Sequence, residues 1–418
     1  MSLPQQGRPA DEVLSDLREL QAGDVDWRGG RTFGLVFDGG DDVHDVAERA
    51  ALLYLHHNAL NTAAFPSLAR IQADVVAWTT ELLNGPAGAA GFLTSGGTES
   101  IQCAVLAARQ RARDRRGVVA ANIVVAASAH AAFHKSAHMY AMEVRTAAVR
   151  DDWTADVEAM AELVDADTVL VVGSAPQYPQ GVVDPIPAIV ELAATVGAHV
   201  HVDACMGGFV LPFVERLGRP VPPWDFRVEG VDSISADVHK LGYAPKGASV
   251  IVYRDKDLRR YQTFRFDGWL GGLYASPNLQ GTRSGLPMAT AWAVISRLGI
   301  DGYLERTRAT LAAADALRGG VAALDGLQVL GEGRYHLVAV ASDPVSPTPR
   351  DVFAIGDGLT ARGWHLDRQG PPDSLHHTLS RANATTMDAY LTDLAAVVDE
   401  VGPGTTTDRS TSYANLDE

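Results

Sequence analysis

The chain has 418 residues, of which 46% are hydrophobic, enough for a large core and two lobes. Its formal charge of −16 argues against nucleic acid and anionic membrane as partners, because both need a basic face, and leaves a small-molecule substrate. Two cysteines, Cys103 and Cys205, make no disulfide framework. The opening Met-Ser-Leu-Pro-Gln-Gln-Gly-Arg-Pro lacks the apolar core of a signal peptide, and no run reaches the ~18 apolar residues of a membrane span, so a cytoplasmic protein without an anchor is expected.

In chain order, Val13, Leu14, Leu17 and Leu20 fall at helical spacing and predict a helix over 10–21. Residues 24–40 read as loop, and 43–55 as helix. Ser67 is a candidate cap for a helix to about Leu83, with Ile71, Val75, Val76 and Leu82 on its apolar side. From Phe92 short apolar runs alternate with helices. Candidate strands are Ile123–Ala126, Thr168–Val172, His199–Val202, Ser233–Ser235 and Ser249–Tyr253. Candidate helices are Glu99–Ala112, Thr154–Val164 and Ile186–Val196. This alternation predicts an α/β domain with a mainly parallel sheet, whose ligands sit at the carboxyl ends of the strands. Residues 264–285 read as loop. Helices over 287–298 and on to about 324 follow. Strands at 328–330 and 336–340 and a helix at 385–401 then suggest a smaller C-terminal α/β lobe. The Gly/Thr/Ser/Asp-rich tail from Gly402 is expected to fray.

Four signals fall at strand ends. Thr94-Ser95-Gly96-Gly97-Thr98-Glu99-Ser100 opens a helix, and its glycines and free N–H groups make a phosphate cradle or a plain capped turn. His130, in Ser128-Ala129-His130-Ala131-Ala132-Phe133, can stack on a planar ligand or simply satisfy its loop. His134 and His138 nearby lack the acidic or thiol company of a metal site, and no metal is expected. Asp203 ends the apolar strand His199–Val202, where a buried carboxylate needs a cation or strong hydrogen bonds; a protonated pyridine nitrogen or a helix N-terminus would serve. Cys205 reads as a small packed residue. His239-Lys240 follows a β-prone run and precedes a Gly/Pro turn. A lysine whose pKa is lowered by burial or a nearby cation can form a Schiff base. In this order the four signals fit one ligand, pyridoxal 5′-phosphate.

The runs TSGGTES (94–100), SAHAAF (128–133), GSAP (173–176) with Gly181 and DPIP (184–187), HVDACMGGF (201–209), SISADVHKLGYAPKG (233–247) and GGLYASP (271–277) with GTR (281–283) resemble one family. It is the group II decarboxylase family of fold-type I pyridoxal-phosphate enzymes, in its sphingosine-1-phosphate lyase branch. Ser374-Leu375-His376 extends the likeness into the small lobe. The resemblance implies an N-terminal arm over 1–60, a large cofactor-binding domain over 61–300, a small domain over 301–402 and a tail over 403–418. It implies Lys240 as the Schiff-base lysine, Asp203 as the partner of the pyridine nitrogen and His130 as the stacking residue. Gly96, Gly97, Thr98 and His239 would hold the cofactor phosphate. Gly281 and Thr282 would reach that phosphate from the other subunit of a homodimer with shared active sites. Lys246, Asn58, Tyr274 and Arg283 would face the substrate, Lys246 at its phosphate.

Two positions depart from the lyase pattern. Phe37 stands where a tyrosine is expected, and Asn61 where a histidine is expected. Phe cannot donate a hydrogen bond, and Asn cannot act as acid or base near pH 7. A doubly charged phosphate is held less well without them, which argues against sphingosine 1-phosphate more than against carbon–carbon cleavage. The expected activity is therefore retro-aldol cleavage of an amino alcohol or β-hydroxy amine. The alternatives are an amino-acid decarboxylase, marked by an arginine on the substrate carboxylate (Arg283 is a candidate, though a structural role is the safer reading of it), an aminotransferase, or an inactive cofactor-binding homologue.

Overall fold

The computed structural model describes residues 3–402 and 405–411. Its larger sheet has seven strands: β1 (Ala90–Thr94), β2 (Asn122–Ala126), β3 (Glu143–Ala147), β4 (Thr168–Ser174), β5 (His199–Asp203), β6 (Ser233–Ala236) and β7 (Ser249–Tyr253). They lie in the order β1-β7-β6-β5-β4-β2-β3. Strands β2 to β6 pair in parallel, and β7 runs antiparallel to both β6 and β1. Strands β2, β4, β5, β6 and β7 are buried along their whole length. Helices cover both faces of such a sheet, so β2, β4 and β7 read as nearly unbroken apolar runs. Strands β5 (His-Val-His-Val-Asp) and β6 (Ser-Ile-Ser-Ala) alternate instead, and His199 and His201 each bond Ser233 Oγ at 2.8 Å.

The edge strands were harder to foresee. Strand β3 is Glu-Val-Arg-Thr-Ala and half exposed, the charged composition that keeps a sheet edge from pairing with other chains. The helices α1 (Ala10–Leu20), α2 (Asp41–Tyr54), α3 (Pro66–Leu82) and α4 (Gly97–Arg116) match the predicted positions within a few residues. Ser67 does not cap α3, however. Pro66 occupies its first turn, where a missing N–H costs nothing, and Phe65 is the flanking residue.

The helix Leu286–Ala322 joins the two halves of the molecule. At Gly299 (φ 53°, ψ −170°) its backbone leaves the helical region, close to where two helices were expected to meet. Met288–Leu298 pack in the larger core, and Ala313–Val321 in the smaller one. The smaller core backs a four-stranded antiparallel sheet. Its strands are β10 (Leu327–Leu330), β11 (Leu337–Ser342), β12 (Asp367–Gln369) and β13 (Ser374–Thr378), in the order β10-β11-β13-β12. Phe33, far away in sequence, is built into this core. Its ring lies 4.7 Å from that of Tyr390 and 4.8 Å from that of His377, and its N–H donates to the His365 carbonyl at 2.9 Å. Burying such a ring is worth roughly 1.5–3 kcal/mol.

The segment read as loop over 264–285 contains a hairpin, β8 (Phe264–Phe266) with β9 (Tyr274–Ser276). Three-residue strands separated by Gly-rich sequence give no periodic signal. Of the expected tail, 403–404 and 412–418 lie outside the described residues. Within 405–411, Arg409 pairs with Asp351 at 2.8 Å and Asp373 at 3.0 Å, returning the chain to the small sheet. Among the described residues no helix is long and apolar enough to cross a membrane.

Candidate active site

The parallel strands end on one side of the sheet, where loops after β1, β2, β5 and β6 meet. Between them is a cavity of about 340 Å³ lined by residues 95–99, His130, Asp203, Cys205, Asp237, His239 and Lys240. One wall is the start of α4. Gly96 precedes it without offering any side-chain cap, so the first N–H groups of the helix and its positive end are left to an anion. The Glu99 carboxylate in that first turn is taken up elsewhere. It accepts from Ser95 N–H at 2.7 Å, Ser95 Oγ at 2.8 Å, Asn278 Nδ2 at 2.9 Å and Leu279 N–H at 3.2 Å. A Cβ on Gly97 would lie 2.8 Å from Cys205 Sγ and 2.9 Å from Asp237 Oδ2, so this position requires glycine.

The opposite wall comes from the turn after β6. His239 N–H donates to the Ala248 carbonyl at 3.0 Å, and Ala248 N–H returns a bond to His239 Nδ1 at 3.1 Å. This pair fixes the ring and places the proton of the neutral imidazole on Nε2. Burial pushes the His239 pKa down to about 4, against the pull of Asp237. Lys240 Nζ lies 3.0 Å from Asp237 Oδ2. Burial alone would raise the pKa of Asp237, but the charge and hydrogen bond of Lys240 and a bond from Ser249 lower it and keep the carboxylate ionised.

Asp203 closes the far end of β5. Cys205 N–H and Ser235 Oγ donate to its Oδ1 at 3.0 and 3.2 Å. Cys205 is buried, and that burial raises its thiol pKa well above the ordinary value, so it stays protonated and packed. His130 accepts from Ala132 N–H at Nδ1 (3.1 Å), so its neutral ring also carries the proton on Nε2. Burial lowers its pKa, partly offset by Asp203.

Comparison with known proteins identifies the family. Residues 1–341 match the pyridoxal-dependent decarboxylase conserved domain. The chain belongs to the pyridoxal-dependent decarboxylase family. A sphingosine-1-phosphate lyase of Oryza sativa subsp. japonica is 38% identical over 400 residues, 94% of this chain and 73% of that protein. A probable L-tyrosine/L-aspartate decarboxylase of Methanothrix thermoacetophila is 35% identical over 399 residues, 95% of this chain and 98% of that one. The structure of sphingosine-1-phosphate lyase from Burkholderia pseudomallei K96243 superposes with a TM-score of 0.91 at 37% identity, covering 96% of this chain and 92% of that one. The protein has the fold-type I architecture and is a pyridoxal-phosphate-dependent lyase.

The family's cofactor fits the cavity on chemical grounds. There is an uncapped helix end for a phosphate, a glycine where no Cβ has room, a primary amine for an aldehyde and a buried carboxylate for a ring nitrogen. Gly96, Gly97, Thr98, His130, Asp203, His239 and Lys240 all line it.

The residues that the family likeness implied around the substrate, and Gly281 and Thr282 that it implied at the cofactor phosphate, do not line this chain's cavity. Gly281 and Thr282 are exposed on the loop after β9. Lys246 is exposed, and its ammonium is engaged by its own chain. Nζ donates to the His239 carbonyl at 3.1 Å and sits 4.9 Å above the ring of Phe37. Burial, then the neighbouring Lys240, push its pKa down to about 8. Asn58 and Asn61 turn their carbonyl oxygens onto their own turns, accepting from Leu60 N–H at 2.9 Å and Ala63 N–H at 3.0 Å. Tyr274 packs with Phe264 and Trp269 of the hairpin. Arg283 donates to Gln72 Oε1 at 3.2 Å and the Ala59 carbonyl at 3.1 Å, and lies 4.6 Å over the Phe92 ring.

Two members of the site were not singled out from the sequence. Asp237 stands in the quoted run before His239-Lys240, and an acidic residue closing a β-prone stretch was the available signal. Glu99 stands in the glycine-rich run, but its partners Asn278 and Leu279 are too distant in sequence to be foreseen.

Proposed function

We propose that this lyase breaks the Cα–Cβ bond of an amine bearing a β-hydroxyl, in the retro-aldol sense. The observation that carries this choice is Arg283. It was the candidate for holding an amino-acid carboxylate, and its guanidinium is instead spent on Gln72, the Ala59 carbonyl and the Phe92 ring. The likeness to sphingosine-1-phosphate lyases supports the same reading.

Pyridoxal phosphate, when bound, supplies an electron sink for the bond that breaks. Lys240 would hold its aldehyde, and Asp203 would keep the ring nitrogen protonated. His130 would lie against the ring, and the start of α4 with Gly96, Gly97, Thr98 and His239 would take the phosphate. The proton of the β-hydroxyl needs a base. Both cavity imidazoles carry their proton on Nε2 and accept a backbone N–H at Nδ1, so they act as donors. The Lys240 amine, beside the ionised Asp237 carboxylate at 3.0 Å, would be placed to take that proton when it is not holding the cofactor.

The distal group of the substrate is anionic and is met by Lys246. Phe37 lies against that ammonium, where it strengthens no anion, and Asn61 caps its own turn. A less highly charged group than a phosphate dianion suits this environment. The active unit is a homodimer. Phe264, Phe266, Trp269, Leu270 and Leu273 on and around the hairpin are exposed, and α1 buries none of its residues. Apolar surface on this scale marks a contact. A second copy covering it would bring Gly281 and Thr282 to the neighbouring cavity. The buried, protonated cysteines fit a reducing cytoplasm.

Incubating the holoenzyme with β-hydroxy amines and with α-amino acids tests the reading. Aldehyde from the former supports it, and carbon dioxide from the latter without aldehyde overturns it. Sedimentation as a monomer at micromolar concentration would overturn the dimer.

A further inference from the structure

A line of polar side chains crosses the middle of the large sheet and ends at Asp203. In β5 the residues His199, His201 and Asp203 alternate with Val200 and Val202, so all three share one face of the strand. Ser233 and Ser235 share a face of β6, which pairs with β5 in the register His201 to Ser233 and Asp203 to Ser235. All of these side chains are buried. His199 Nε2 lies 2.8 Å from Ser233 Oγ, and Ser233 Oγ lies 2.8 Å from His201 Nδ1. His201 Nε2 lies 3.2 Å from Ser235 Oγ, which lies 3.2 Å from Asp203 Oδ1.

One direction of donation satisfies the whole line. A carboxylate only accepts, so the Ser235 hydroxyl proton goes to Asp203. Ser235 Oγ then accepts on its two lone pairs, from His201 Nε2–H and from the Cys205 thiol at 3.3 Å. With both lone pairs taken, the hydroxyl is held in the direction of Asp203. His201 Nδ1 must accept from Ser233, and Ser233 from His199 Nε2–H. Burial pushes the pKa of His199 down to about 4 and that of His201 to about 3, against the pull of Asp232 and Asp203, so each ring is neutral and carries one proton.

The surroundings leave this arrangement in place. The ring of Phe133 lies 6.0 Å from that of His201, and Tyr253 packs beside His199. His199 Nδ1 has no hydrogen-bond partner and lies 3.7 Å from Asp232 Oδ2, on the wall of a separate cavity with Arg111, Arg116 and Arg254. At the other end Asp203 accepts from Cys205 N–H at 3.0 Å and faces His130 and Lys240 across the cofactor cavity. The backbone ladder already joins β5 to β6, so two buried imidazoles are not needed to hold the strands together. What they add is a fixed donor on Asp203.

We propose that His201, acting through Ser235, is a positioning residue that holds Asp203 ionised, so that the proton shared with the cofactor stays on the pyridine nitrogen. A hydrogen bond given to a carboxylate favours its charged form. His199 and Ser233 fix the tautomer of His201, and bonds linked in series polarise one another. The proposal rests on the reading of Asp203 as the partner of that nitrogen.

The test uses the full chain loaded with pyridoxal 5′-phosphate that is isotopically labelled at its ring nitrogen, whose protonation nitrogen NMR reads without turnover. In Ser235→Ala and His201→Leu the ring nitrogen should lose its proton at a pH lower by about one unit or more, the effect of losing one hydrogen bond to a charged group. His201→Gln, whose amide can still donate to Ser235, should stay close to wild type. In the protein without cofactor, His201 should be neutral at neutral pH with its proton on Nε2. A His201 proton found on Nδ1 would overturn the proposal with no cofactor involved. A ring-nitrogen profile that is unchanged in Ser235→Ala and His201→Leu but moved in Asp203→Ala would also overturn it and leave the reading of Asp203 standing. A profile unchanged in Asp203→Ala as well would sink that reading, and the proposal with it.

Discussion

The Lys240 ammonium lies 3.0 Å from the Asp237 carboxylate, a half-buried lysine against a buried acid on the wall of the cofactor cavity. Such a pair holds the amine protonated, and only the neutral amine condenses with an aldehyde. Asp237→Asn removes the counter-ion and lets the amine lose its proton at lower pH. We expect the pH profile of cofactor loading onto the apoprotein, measured by stopped-flow absorbance, to move down by about one unit or more. An unchanged profile would show that Asp237 does not govern the amine.

Gly97 offers a test of the cradle that is independent of the reaction. A methyl group there meets Cys205 Sγ and Asp237 Oδ2 at less than 3 Å. Gly97→Ala should cost about 1–3 kcal/mol in denaturant unfolding, as overpacking does. It should also weaken cofactor binding in equilibrium dialysis. Adding Cys205→Ala removes one of the two clashing atoms and should restore part of both losses; additive losses in the double variant would contradict the packing argument.

Lys246 predicts a pH dependence with a definite sign. Burial and the nearby Lys240 lower its pKa to about 8. The side chain is charged below that pH and neutral above it, so attraction for an anionic substrate is present on the acid side and fades as pH rises. KM for an anionic substrate should climb above pH about 8. In Lys246→Met the climb should vanish and KM at neutral pH should rise by about tenfold, the loss expected for one charge-assisted contact. A KM profile identical in both proteins would remove Lys246 from substrate binding.

Phe37 sits against the same ammonium. Phe37→Tyr adds a hydroxyl at the position where the lyase pattern has one. If the missing donor is what disfavours a phosphate dianion, the variant should lower KM for a phosphorylated amino alcohol relative to an unphosphorylated one. An unchanged ratio would mean that the pocket reads this group by other means.

Much of this could be read from the chain. Strands β2, β4 and β7 announce themselves because a strand covered on both faces is mostly apolar. Strands β5 and β6 do so by the valine, isoleucine and alanine that alternate with their buried, mutually bonded His and Ser. Gly97, Asp203, His130 and Lys240 stand at strand ends, and the parallel sheet brings those ends together. What escaped is what neither period nor motif encodes. Strand β3 is charged because it is an edge. The hairpin β8–β9 is too short for alternation to register. The Asp237–Lys240 pair forms across the turn after β6, and an acidic residue closing a β-prone stretch does not announce which cation it will meet. The stacking of Lys246 on Phe37 and the diversion of Arg283 to Phe92 are tertiary contacts between distant segments, and local sequence holds no record of them.

The central claim is that Lys240 serves carbon–carbon cleavage in this cavity, and product analysis on a single substrate pair tests it most directly. Holoenzyme is given a β-hydroxy amine without a carboxylate and, separately, the matching α-amino acid, with aldehyde and carbon dioxide both quantified. The account predicts aldehyde in step with amine consumed from the first, abolished in Lys240→Ala, and no more carbon dioxide from the second than the buffer gives. Carbon dioxide from the amino acid with no aldehyde from the amine would contradict it.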